Sequence, residues 1–201
     1  MGIFFGVPIV GVLIALGAVV AEQLLAVIAA VLFQKEIMLD VYNHLGFFIV
    51  AAAVIEEAFK YIAVSQILRK IFDLRGMKLI FSAIMAGLFF GLTEVFLVLV
   101  SNGKNITDIK NLGNDTLFSL LTVILVHILT IFMISVLVAV RREDKIFNAF
   151  KIIIPPTLVH LLYNFLVIQK GEYTIWLVSV TLAVVFLVDL FILFFSFRDI
   201  N

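Results

Sequence analysis

The chain has no cysteine, so disulfides and thiolate chemistry are excluded, and cysteine usage says nothing of its redox compartment. Charge is scarce as well. Only 14% of the 201 residues are charged, 14 basic against 14 acidic, and the formal net charge is zero. That balance argues against a nucleic-acid partner, for which a basic excess is expected. Internal repeats, low-complexity tracts and any stretch resembling a soluble domain are also missing. What the chain has instead is apolar residues: 64% of the total, with a mean hydropathy of +1.26. Soluble domains carry about 45–50% apolar and about 25% charged residues. The excess is too large for one water-facing core, so the solvent is lipid. Because a bilayer leaves no backbone polar group unpaired, the expected fold is all-α, a polytopic bundle of transmembrane helices.

A spanning helix needs roughly 20 apolar residues. Six stretches qualify, at about 3–33, 45–68, 79–101, 117–140, 147–168 and 173–197, and together they predict a single integral membrane domain. The segment before Phe33 lacks a basic leader and is too long for a signal peptide, so it is expected to remain as a helix of the mature chain. Pro8, Gly11 and Gly17 predict a tilt or kink there. Pro155 and Pro156 are expected to bend or delay the fifth helix.

Basic residues in short loops set orientation. Arg69, Lys70, Arg75 and Lys78 follow the second span, and Arg141, Arg142, Lys145 and Lys151 follow the fourth. Both clusters fall on one side under six-span alternation. Both termini are therefore expected in the cytoplasm, and the chain in the plasma membrane. Asn105-Ile106-Thr107 and Asn114-Asp115-Thr116, in the expected outer loop, read as ordinary polar turns. His44 reads as a solvated loop residue, and Trp176 as an interfacial anchor.

Charges near the middle of helices are the informative exceptions. Each Asp, Lys or Arg at a helix centre costs about +2.5 to +3.5 kcal/mol on the insertion scale. Glu56, Glu57 and Lys60 would cost the second span roughly 8–10 kcal/mol, of which its apolar residues recover only about 4–7. Alone this helix is a poor span. It becomes tolerable when its charges face other helices, water or each other.

The other intramembrane polar groups are Glu22, Glu94, His127, His160, Asn164 and Asp189. By helical rise, Glu56, Glu94, His127 and His160 lie roughly 10–17 Å beneath the outer surface on four different helices. Glu22 reaches a similar level on the first helix, whereas Asp189 sits nearer the cytoplasmic side; both read as structural or supporting groups. Lys60 stands i+4 from Glu56 and i+3 from Glu57, so it can pair with either. His160 and Asn164, i and i+4, project from one face, as do Phe90 and Glu94.

Taken in order, Glu56-Glu57-x-x-Lys60, Phe90-x-x-x-Glu94, His127 and His160-x-x-x-Asn164 resemble the PrsW family of intramembrane proteases, prokaryotic relatives of the CAAX prenyl endopeptidases and of bacteriocin-immunity membrane proteins. The likeness spans helices two to five. A CAAX enzyme would carry arginine one position beyond Lys60 and histidine in place of Glu94. Tyr61 and Glu94 depart from that pattern, so prenyl-protein processing is the alternative. The resemblance implies site-1 cleavage of a membrane-bound anti-sigma factor or a similar single-span protein.

Peptide hydrolysis needs a base for water, donors for the oxyanion and an acid for the leaving amine. Glu56 is the candidate base, since a carboxylate withdrawn from water is a stronger base. Glu57 could instead orient a neighbouring helix or hold Lys60. His160 and Asn164 would donate to the oxyanion, while Glu94 and His127 would place the water or carry protons. A second mechanism uses the same residues: Glu94, His127 and His160 could hold Zn2+, with Glu56 as base. Metal-free and zinc-dependent hydrolysis both remain open from sequence. The competing function class is a proton- or cation-coupled transporter, though no inverted repeat or broken helix supports it.

Overall fold

The computed structural model describes residues 2–33, 37–101, 113–140, 146–169 and 173–198. Among these residues the chain is helical and has no strand. In chain order the elements are α1 (Gly2–Phe33), α2 (Ile37–Ile62) running directly into a π-helical segment (Ala63–Ile71), α3 (Gly76–Ser101), α4 (Asn114–Val140), α5 (Ile146–Gln169) and α6 (Thr174–Arg198).

Five of the six long helices are long and apolar enough to cross a membrane, with spans of 22 to 27 residues. At 1.5 Å per residue each exceeds the roughly 30 Å hydrocarbon thickness. The remaining long helix, α2, carries Glu56, Glu57 and Lys60 toward its C-terminal end. It starts at Ile37, earlier than the expected second span, so residue 44 lies within a helix rather than a loop. Neither proline pair position breaks a helix: Pro8 lies inside α1, and α5 starts at Ile146 and runs through Pro155 and Pro156. The first acceptor sequence, at Asn105, lies outside the described residues, as do Arg141, Arg142 and Lys145.

The axis of the bundle is α4, of whose most apolar window 61% is buried, against 17–33% for the other spans. It packs against α2, α3, α5 and α6, while α1 lies over α2 and α3. Large apolar side chains point outward all round, among them Leu13 and Leu24 on α1 and Leu187 and Phe191 on α6. A water-soluble surface does not carry such a continuous apolar belt.

Close packing of α3 on α4 is set by the pair Gly87-x-x-x-Gly91. A Cβ on Gly87 would sit 2.3 Å from Ile131 Cγ2, and one on Gly91 would sit 2.8 Å from the Ile124 Cα. Without lipid-excluding hydrophobicity to drive association, small residues let two backbones approach and gain dispersion contacts. This approach carries Phe90 and Glu94 up to the face of α4 that bears His127.

Just beyond Lys60 the helix loosens. Its wider turns close with Phe72 N donating to Ile67 O at 2.9 Å and Leu74 N to Leu68 O at 3.0 Å. The loosened turns still bury Ala63, Val64 and Leu68 completely. Such segments concentrate near functional sites. Asp73 (φ 48°) then turns the chain toward α3, a left-handed conformation that Asp tolerates better than most residues.

Candidate active site

Adjacent residues on a helix project about 100° apart, so Glu56 and Glu57 face different partners. Glu57 is wholly buried and takes Lys60, one turn on, at 2.7 Å from Nζ to Oε1. Lys60 is wholly buried too. Its ammonium also donates to Thr130 Oγ1 of α4 at 3.0 Å and lies 4.8 Å from the centre of the Phe90 ring. A carboxylate, a hydroxyl and an aromatic face thus surround the cation.

Glu57 Oε1 has a second partner, His160 Nδ1 of α5, at 2.8 Å. A carboxylate held by an ammonium accepts hydrogen bonds, so the imidazole proton sits on Nδ1 and Nε2 keeps its lone pair. That Nε2 faces Glu56 Oε2 at 3.9 Å. His127 on α4 repeats the arrangement in mirror form. Its Nε2 lies against Glu94 Oε2 of α3, and its Nδ1 faces Glu56 Oε2 at 3.7 Å. Phe90 packs on the His127 ring at 4.6 Å between centroids, and the two imidazoles meet edge to face at 5.3 Å.

Three atoms that carry lone pairs therefore turn toward one another. Ligand atoms of Glu56, His127 and His160 all lie within 4.8 Å of each other. Glu56 Oε2 and His127 Nδ1 are buried and make no hydrogen bond among the described residues. Unpaired buried acceptors cost free energy unless an electropositive centre meets them. One carboxylate and two imidazoles are a donor set of catalytic zinc, and the carboxylates behind both rings are the usual outer support. The residues fit a divalent cation.

The sequence places Glu56, Glu94, His127 and His160 at one level, and in the structure these four and Glu57 form one contiguous cluster. The converging trio differs from the expected Glu94, His127 and His160. Glu56 takes the inner place, and Glu94 stands on the other nitrogen of His127. Asn164, half-buried one turn after His160, makes no hydrogen bond to the cluster among the described residues. Thr130 was missed, although its position three residues after His127 on the same polar face of α4 is a usable signal. Asp189 stands outside the cluster, wholly buried, with neither carboxylate oxygen hydrogen-bonded among the described residues.

A family model described as PrsW family intramembrane metalloprotease matches residues 2–193. No curated protein and no solved structure matches the chain. With the matched region covering nearly the whole sequence, and a Glu/His/His group able to hold a metal ion within the bundle, the chain belongs to the PrsW family of intramembrane metalloproteases.

Proposed function

We propose that the chain is a zinc-dependent endopeptidase that cleaves a membrane-anchored, single-span protein inside the bilayer, with Glu56, His127 and His160 as the ligands. The observation that carries this reading is the convergence of ligand atoms of Glu56, His127 and His160 within 4.8 Å of one another, with Glu56 Oε2 and His127 Nδ1 buried and without a hydrogen bond among the described residues. When bound, the ion supplies Lewis-acid polarisation of the scissile carbonyl and a nucleophile at neutral pH.

The remaining work belongs to side chains. Glu57 fixes the His160 tautomer that offers Nε2 to the site, and Lys60 holds Glu57 ionised by direct pairing. Glu94 does the same for His127, and its partly exposed carboxylate faces the cavity where water and the peptide meet. Glu94 is thus better placed than Glu56 to take a proton from attacking water and return it to the leaving amine. Asn164, one turn from His160 and without a hydrogen bond among the described residues, is the donor for the oxyanion. Phe90 separates the Lys60 ammonium from the His127 ring and keeps water out.

The loop charges support cytoplasmic termini and a pocket in the outer half of the plasma membrane. The family resemblance supports site-1 cleavage of an anti-sigma factor, and Tyr61 and Glu94 weigh against prenyl-protein processing.

Purified chain in proteoliposomes, with a single-span substrate and elemental analysis of bound metal, tests the reading. One zinc per chain is expected, lost together with cleavage in Glu56→Gln, His127→Ala and His160→Ala. Cleavage that persists in metal-free protein, insensitive to chelators, overturns the zinc assignment in favour of glutamate-activated water. Ion flux without cleavage overturns the protease site.

A further inference from the structure

The Glu/His cluster leaves one carboxylate of the pocket without a partner. Glu22 is the sole charged residue in α1, and it comes from a helix that carries none of the four motifs. With Ala15 and Ala18 it forms the α1 wall of a cavity of about 60 Å³, whose other walls include Glu56, Phe90 and Glu94. Glu22 Oε1 is buried and makes no hydrogen bond among the described residues. Glu56, only 9% exposed, lines the same space. Among the described residues no lysine or arginine lines the cavity.

A charge count isolates Glu22. Four carboxylates, Glu22, Glu56, Glu57 and Glu94, face this region. Lys60 neutralises Glu57. A divalent ion at Glu56, His127 and His160 balances Glu56 and Glu94. The carboxylate left without a counter-charge is that of Glu22. An ionisable group at this depth marks a functional path when no partner inside the protein explains it. The alanines beside it keep the α1 wall flat and leave space next to the carboxylate. Water molecules need roughly 10–15 Å³ of such space each; the cavity therefore takes a few waters, or the head of one polar side chain.

We infer that this cavity is a substrate subsite for a cationic side chain, lysine or arginine, next to the scissile bond, and that Glu22 is the acid that recognises it. The inference rests on the cation site proposed above, because that site supplies the charges that single out Glu22. It also assigns α1 a part in the enzyme: specificity is read on α1 while the bond is broken between α2, α4 and α5.

The experiment uses the full chain in proteoliposomes with single-span substrates that differ only by Lys, Gln or Glu at positions flanking the cleaved bond. The wild type is expected to prefer Lys over Glu by at least about tenfold in kcat/KM, as a close charge pair at a desolvated site allows. Glu22→Gln should remove about tenfold of that preference, chiefly through KM, and leave the bound metal per chain unchanged. Glu22→Lys should turn the ranking toward the Glu substrate, which a variant that merely misfolds cannot do. An unchanged ranking in Glu22→Gln, or a wild type indifferent to the flanking charge, overturns the subsite. Loss of metal in Glu22→Gln overturns it as well, by making Glu22 part of the cation site. A wild-type chain without bound metal overturns the cation site instead, a result read before any substrate is compared.

Discussion

His160 Nδ1 and Lys60 Nζ converge on one oxygen, Glu57 Oε1, at 2.8 and 2.7 Å. A single carboxylate oxygen thereby sets the tautomer of an imidazole and holds a buried ammonium. Glu57→Gln should lower metal affinity and activity by about 10–100-fold, the usual loss when such an outer partner is removed. It should also destabilise the chain by about 3–5 kcal/mol, because Lys60 becomes a buried charge without its counterion. Metal titration and unfolding in detergent measure the two losses. Glu57→Gln combined with Lys60→Met should recover stability while leaving activity low.

Thr130 supplies the hydroxyl on the far side of Lys60, 3.0 Å from Nζ. Thr130→Val keeps the shape and deletes the acceptor, leaving an unfilled ammonium donor. A cost of about 1–3 kcal/mol is expected, with a smaller fall in metal affinity than for Glu57→Gln. Thr130→Ser should restore both, and equal behaviour of the Val and Ser variants would falsify this role.

Gly87 and Gly91 both meet the backbone of α4. A Cβ at Gly87 would press on the buried Ile131 side chain and stand 3.0 Å from the His127 carbonyl oxygen, and one at Gly91 would sit 2.8 Å from the Ile124 Cα. A helix backbone cannot turn aside. Gly87→Ala and Gly91→Ala should therefore each push α3 from α4 and carry Glu94 away from His127, with a loss approaching 10²-fold in kcat for an ångström of misplacement. Initial-rate measurements on the two variants check this.

Asp189 has both carboxylate oxygens buried without a hydrogen bond among the described residues, and it stands apart from the cluster. Burying an unpaired polar group costs about 1–3 kcal/mol by mutational measures. Asp189→Leu should raise the unfolding temperature in detergent and leave cleavage unchanged. A drop in cleavage at unchanged stability would give this acid a part in the reaction.

The insertion arithmetic on Glu56, Glu57 and Lys60 predicted that these charges face other helices or each other, and in the structure Glu57 and Lys60 are buried and paired between α2, α4 and α5. Local spacing left Lys60 able to pair with Glu56 or Glu57, and the structure pairs it with Glu57. The π-helical segment after Lys60 left no such mark, because its composition is that of an ordinary helix end. Thr130 was hidden for a different reason: a lone threonine on an apolar helix satisfies itself on its own backbone as readily as it meets a cation.

Sequence by itself determined that lipid is the solvent, that the fold is a helical bundle, and which side chains are costly within it. Those are sums and spacings along one helix, which hydropathy and a fixed rise per residue settle without knowing the neighbours. Tertiary structure alone decided which carboxylate faces which imidazole nitrogen: Glu56 between His127 and His160, Glu94 behind His127, Glu57 behind His160. The rotation of each helix about its axis, and its closeness to the next, fix those choices. Both depend on packing such as the Gly87–Gly91 contact with α4, between residues far apart in the chain.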